Sequence, residues 1–201
     1  MLKFVQSVAP KYGDKSMKLF FASDLHGSLP ATEKVLSLFE QSGADTLVLL
    51  GDLLNHGPRN PIPDGYNPTA VAECLNRWAP HIVAVRGNCD SEVDQMLLDF
   101  PMMMDFCWVV LESGTRFFLT HGHQYNAQNR PPLKKGDVLI HGHSHTPMAQ
   151  GQDDVIIVNP GSATFPRNEF PPSYAIYTDG LFQVMGLEGQ GLAQYRLTTS
   201  S

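Results

Sequence analysis

The chain has 201 residues, of which 42% are hydrophobic and 17% charged, and a formal net charge of −6 at pH 7. That length supports one domain, or at most two, with a core that needs no covalent staples, and no apolar run approaches the roughly 18 residues that cross a bilayer. The acidic balance argues against a basic surface of the kind that follows a nucleic-acid backbone, where Lys and Arg displace counterions, so long nucleic acid is not an expected partner.

Residues 1–16, MLKFVQSVAPKYGDKS, carry basic residues but lack the apolar centre of a secretory signal, and they read as a loose N-terminal extension. Met17 opens the first convincing element. KLFFAS (18–23) predicts a strand, PATEKVLSLFEQSG (30–43) an amphipathic helix, and TLVLLG (46–51) a second strand. In the helix Ala31, Val35, Leu38 and Phe39 share one face, Pro30 suits the first turn and Gly43 supplies the stop. PTAVAECLNRWA (68–79) repeats the helical pattern and IVAVRG (82–87) the strand pattern. SEVDQMLLDF (91–100) predicts a short helix. After it come strands at 106–112, 116–121, 137–142, 154–159, 173–180 and 181–186, the last two joined by a tight turn at Asp179-Gly180. Alternating β and α followed by a run of strands predicts an α/β (α+β) domain over 17–190. It has two packed sheets, with helices covering the βαβ part. The Gly- and Ser-rich end, residues 191–201, is expected to be a flexible tail. Cys74, Cys89 and Cys107 are odd in number and show no CxxC spacing, which fits reduced thiols in a cytoplasmic protein.

Polar residues follow five of these apolar strands. KLFFAS runs into Asp24-Leu25-His26, TLVLLG into Asp52, IVAVRG into Asn88-Cys89-Asp90, RFFLT into His121-Gly122-His123, and VLI into His141, His143 and His145. Ligand sites of α/β sheets lie beyond the carboxyl ends of their strands, so five such ends can converge on one place. Carboxylates, imidazoles and an amide without a thiolate cluster form a ligand set for Mn, Fe or Zn. Alternate residues of extended chain point the same way, so Asp24 with His26, and His143 with His145, can each act as a two-pronged clamp. Six of the eight histidines lie in these segments and His56 follows Asp52 by four residues, so only His81 stands apart from the strand ends. A single buried histidine is more often a hydrogen-bonded core residue than a ligand. That explanation does not account for Asp-x-His, Gly-Asp and Gly-Asn also ending apolar strands.

The order Asp24-x-His26, Gly51-Asp52, Gly87-Asn88, His121, Gly142-His143-x-His145 resembles the calcineurin-like metallophosphoesterase superfamily. GDLLNHGPRN, VRGNCDSEVDQMLL and LTHGH are similar to its small bacterial YfcE-type phosphodiesterases. The resemblance covers residues 17 to about 165. It implies a four-layer α-β-β-α sandwich of two mixed sheets flanked by helices, holding two divalent ions, with Mn2+ first and Zn2+, Fe2+ or Ni2+ as alternatives. It further implies that Asp24, His26 and His145 hold one ion, that Asn88, His121 and His143 hold the other, and that Asp52 bridges them. His141 falls outside that scheme and is expected to play a supporting role.

The activity implied is hydrolysis of small phosphodiesters by in-line attack of a metal-bridging hydroxide. Two ions about 3.5–4 Å apart lower the pKa of a shared water from far above neutrality toward about 7. Where many superfamily members carry His after the Gly-Asn pair, this chain has Cys89, a poor proton donor unless its pKa is moved. Cys89 is therefore a candidate for a direct role or for simple packing. His123 is a candidate either to orient a ligand or to contact substrate, and, with His56, an alternative acid. His56 and Arg59 sit in the Pro- and Gly-rich loop 54–68 beside Asp52 and are candidate phosphate contacts. Met102, Met103 and Met104 read as adaptable core packing. A phosphomonoesterase on the same residues is one alternative, and a metal-bound, non-catalytic scaffold like the retromer subunit of this superfamily is another. The sequence sets no oligomeric state and leaves a homo-oligomer open.

Overall fold

A computed structural model describes residues 17–197. The expected extension at 1–16 and the last four residues lie outside the described residues. The order is β1 (Lys18–Ala22), α1 (Leu29–Ser42), β2 (Thr46–Leu49), α2 (Pro68–Asn76), β3 (Ile82–Ala84), α3 (Glu92–Gln95), β4 (Phe106–Val110), β5 (Arg116–Thr120), β6 (Val138–His141), β7 (Met148–Gln152), β8 (Val155–Asn159), β9 (Ser173–Thr178), β10 (Leu181–Gly186) and β11 (Gly191–Arg196).

Two mixed sheets result. The first runs β11-β10-β9-β1-β2-β3, with β1, β2 and β3 parallel and β9, β10 and β11 added antiparallel. The second runs β4-β5-β6-β8-β7, with β5, β6 and β8 parallel and an antiparallel strand at each edge. Strand alternation divides the apolar residues between layers. Leu19, Phe21 and Val48 of the first sheet meet Phe117, Leu119, Ile140 and Val158 of the second in the central core. Phe20, Ala22, Leu47 and Leu49 face the other way, onto Val35, Phe39, Val71 and Leu75 of α1 and α2.

Helix α1 begins where expected because Ser28 accepts the Ala31 N–H and Pro30 occupies the first turn, and it stops at Gly43, whose φ is 66°. Helix α2 is shorter than its periodicity predicts. Pro80 disfavours helical backbone at Ala79, and the chain leaves through a 3-10 turn at Ala79–His81. Asp179 and Gly180 both have positive φ, 49° and 77°, forming the tight β9–β10 hairpin turn.

Three features differ from expectation. The polar MAQGQ segment forms β7, and Gly191–Arg196, expected to be part of a flexible tail, forms β11. Leu192, Ala193 and Tyr195 pack against the central core, which gives that edge strand a reason to hold. Among the described residues, the outer face of the second sheet is covered by irregular chain and not by helices: Tyr125, Ala127 and Leu133 cover Phe118, Leu139 and Ile157. Met102 is buried and Met103 packs beside it, whereas Met104 is exposed.

Candidate metal centre

Both sheets direct the carboxyl ends of their parallel strands toward one place. β1 leads to Asp24 and His26, β2 to Asp52, β3 to Asn88, β5 to His121, and β6 to His143 and His145. The structure brings these seven side chains together. His145 Nε2 lies 3.1 Å and His26 Nε2 3.7 Å from Asp24 Oδ1. Asp52 Oδ2 lies 3.8 Å from His26 Nε2 and 3.4 Å from His121 Nε2. His121 Nε2 is also 3.1 Å from Asn88 Oδ1 and 3.2 Å from His143 Nδ1.

Five of the seven, Asp24, His26, Asp52, His143 and His145, have positive φ between 49° and 63°. Non-glycine residues in that region cost about 1 kcal/mol each, and Asp, Asn and His tolerate it best. The neighbouring glycines make the crowding feasible. A Cβ on Gly87 would strike the Asp52 carboxylate, and one on Gly142 would meet Ser23 Oγ and sit 2.8 Å from Asp24 Oδ2.

The donor set fits cations. His26, His121 and His145 each donate Nδ1–H to a backbone carbonyl, those of Asn55 (3.0 Å), Leu50 (2.7 Å) and Phe165 (2.6 Å). Each neutral ring therefore presents the Nε2 lone pair to the centre. His121 Nε2 then faces a carboxylate oxygen, an amide oxygen and another imidazole nitrogen, which is repulsive unless a proton or a metal lies between them. Asp24 Oδ1 and His26 Nε2 are buried with no hydrogen-bond partner among the described residues, as a ligand pair would be. Ligand atoms lie within 4.8 Å of one another in the groups Asp24, His26, His145 and Asp24, Asp52, His121, and also in His26, Asp52, Cys89.

The protonation pattern follows from the same contacts. Burial alone would raise Asp24, but the facing imidazoles of His145, His121 and His26 hold it well below the usual carboxylate range. Asp52 is likewise lowered, its burial outweighed by His121. His121 rises to about 9 despite burial because Asp52 and Asp24 face it. Burial and the His121 charge take His143 down to about 4.

Asp90 was not singled out from the sequence, and it organises the floor of the site. Its buried carboxylate accepts the backbone N–H groups of Asp52 (2.7 Å), Leu53 (2.8 Å) and Gly87 (2.7 Å), tying the β2 and β3 ends together. Burial, with the Asp52 charge, pushes it up to about 6. Two further residues escaped notice. Asn159 donates to the Gly142 carbonyl and Ser144 Oγ, and Ser162 donates to the Asp24 carbonyl. Asp90 follows Gly87-Asn88-Cys89, and that spacing is the one signal that could have exposed it.

Cys89 donates its backbone N–H to Asp52 Oδ1 at 2.8 Å, and burial and the Asp52 charge push its thiol upward. It is a neutral thiol near pH 7. The His123 ring lies 5.5 Å from that of His121, and burial lowers its pKa. His141 is buried beside Asn159 and the Gly142 carbonyl, belongs to none of the ligand groups, and has an Nε2 with no hydrogen-bond partner among the described residues. Arg59 lines the cleft over the centre, together with Asn60, Cys89 and Arg167, whereas His56 packs edge-on against Tyr66, 5.3 Å away, and does not line it.

The family model described as the calcineurin-like phosphoesterase superfamily domain matches residues 17–179, and the chain belongs to that superfamily. The family implies divalent metal, and these residues are where it would be held. Among relatives, phosphodiesterase YfcE of Escherichia coli is 53% identical over 176 residues, 88% of this chain and 95% of that protein. A solved structure of YfcE, described as a phosphoesterase from E. coli, superposes with a TM-score of 0.89 at 51% identity and covers 90% of this chain and 100% of its own. Vacuolar protein sorting 29 from Cryptosporidium parvum, at 17% identity and TM-score 0.61 over 90% of this chain and 98% of that one, shares the fold alone. Among the described residues no helix is long and apolar enough to cross a membrane.

Proposed function

We propose that the chain is a metal-dependent phosphodiesterase of the cytoplasm, acting on small phosphodiesters through two divalent ions, Mn2+ foremost. The observation that carries this is the placement of Asp52, whose Oδ2 faces His26 on one side and His121 on the other. Asp24, His26 and His145 would hold one ion and Asn88, His121 and His143 the second, with Asp52 between them. The ions would supply an acidified water as nucleophile and neutralise charge on the attacked phosphorus. The chain's own groups do the rest. The backbone carbonyls of Asn55, Leu50 and Phe165 fix the ligand imidazoles, and Asp90 fixes the loop carrying Asp52. Arg59, which lines the cleft, would contact the substrate. A neutral Cys89 thiol with a raised pKa is a weak acid toward a leaving oxygen, so esters with good leaving groups are favoured. His123, whose ring lies 5.5 Å from that of His121 and 6.3 Å from that of His143, would share that task. The name and 53% identity of the E. coli relative support a diester substrate.

The test is to strip the protein of metal, add back Mn, Zn, Mg or Ni singly, and compare a nitrophenyl phosphodiester with its monoester. Diester cleavage restored by Mn is the expected result. Preference for the monoester would make the chain a monoesterase. Metal uptake without turnover of either would favour the scaffold, a role compatible with the fold shared with the sorting protein.

A further inference from the structure

Seven arginines fall within the described residues. Four are held by their own chain: Arg116 pairs with Asp137 and Arg130 with Asp153, Arg77 donates to Cys74 Sγ, and Arg196 donates to the Asp179 carbonyl. The other three, Arg59, Arg86 and Arg167, form no ion pair and no side-chain hydrogen bond among the described residues, and all three stand around the metal centre. Arg59, from the loop after β2, and Arg167, from the segment after β8, line one cleft of about 250 Å3 with Asp52, Asn88 and His145. The Arg167 backbone N–H donates to the His145 carbonyl at 3.2 Å, which holds this arginine next to a ligand histidine. Arg59 is held two residues from Gly57, which lies against the Cys89 thiol. Arg86 directly precedes Gly87, and its charge reaches His123.

In a protein of net charge −6, two exposed cationic side chains without a partner on one cleft attract an anionic occupant. Given the two-metal phosphodiesterase proposed above, charge accounting says which kind. Two divalent ions less the charges of Asp24, Asp52 and a bound hydroxide leave a net charge of one, which the single charge of a diester already balances. A simple diester therefore leaves both guanidinium groups without a counter-charge.

We propose that Arg59 and Arg167 form a second anion subsite beside the metal centre, and that the substrate is a small phosphodiester bearing a further anionic group on the arm that faces them. The planar guanidinium suits carboxylate or phosphate oxygens bidentately, so the shared chemistry of the arm is a planar or tetrahedral oxyanion.

The experiment uses the full chain loaded with Mn2+ and two p-nitrophenyl diesters that share a leaving group. One has a phenyl second arm and the other a meta- or para-carboxyphenyl arm. The readout is the ratio of kcat/KM between them. Wild type is expected to favour the carboxylated diester about tenfold, each of Arg59→Ala and Arg167→Ala to lower that ratio about threefold, and the double variant to bring it near one. Added salt should compress the ratio in wild type. A wild-type ratio near one, or a preference that survives both substitutions, overturns the subsite. Calorimetric binding of diphenyl phosphate against its carboxylated counterpart measures the same ratio without turnover. If neither nitrophenyl diester is cleaved, the phosphodiesterase assignment fails, while the affinity ratio still supports or overturns the arginine pair. An inorganic phosphate arm in the same titration separates a phosphate-selective subsite from a general carboxylate one.

Discussion

At the scale of single residues, backbone donors matter as much as ligand side chains. Asp90 accepts three N–H groups with two oxygens. Asp90→Asn replaces one acceptor by a donor aimed at backbone N–H and leaves at least one buried donor unpaired. We expect a loss of about 2 kcal/mol in urea unfolding and a roughly 10- to 100-fold weaker metal affinity. Asp52→Asn should lower diester turnover by more than about 100-fold, beyond the effect of residues that only orient a ligand, and should reduce bound metal from two ions to one by elemental analysis. His121 adds a pH dependence with a defined sign. Its pKa of about 9 lies above that of free imidazole, so the stability it lends the metal-free fold is present below about pH 6.5 and lost as pH rises through about 9. Metal must displace that proton, so uptake at about pH 7.5 should release close to one proton from this group and uptake at about pH 10 none. Titration calorimetry in buffers of different ionisation enthalpy reads the number, and equal release at both pH values would remove His121 from this role. The seven clustered side chains were legible in the sequence because each follows an apolar strand, and strand ends converge. Asp90, Asn159 and Ser162 were not, because they act on backbone groups whose positions no spacing reveals. Arg167 stood in no motif at all.

At the scale of elements, strands with apolar alternation were readable and the two polar ones were not. MAQGQ and GLAQYR offer too few apolar positions to signal β7 and β11, and each forms because a neighbouring strand and a core are already waiting. Ending the chain after Gly189 tests the second case. Loss of the Leu192, Ala193 and Tyr195 contacts should cost about 3 kcal/mol in urea unfolding. A frayed tail would have cost nothing. Helix α2 shows the converse, a periodic pattern cut short by Pro80. The covering of the second sheet by irregular chain was invisible because Tyr125, Ala127 and Leu133 fit neither helical nor strand period.

For the molecule as a whole, the centre is a seam between two sheets. Asp24, Asp52 and Asn88 come from one, His121, His143 and His145 from the other, and metal held across them would join the halves. Because the unfolded chain scatters these ligands, each ion present at about 100 times its dissociation constant should stabilise the fold by about 2.7 kcal/mol. A chelator should therefore lower the Tm by several degrees, and Mn2+ should restore it. An unchanged Tm would mean that the seam closes without metal. Antiparallel strands lie at the outer margins of both parallel cores except at β3, which keeps substitutions at β7 and β11 away from the chemistry.

The left-handed backbone at Asp24, His26, Asp52, His143 and His145 sets catalysis against durability at the same five positions. Glycine there would relax the chain while discarding the side chain that reaches the centre. A descendant freed from the need to turn over substrate would therefore gain robustness by the very substitutions that silence it, and the first mark of such a history would be small residues where these acids and imidazoles now stand.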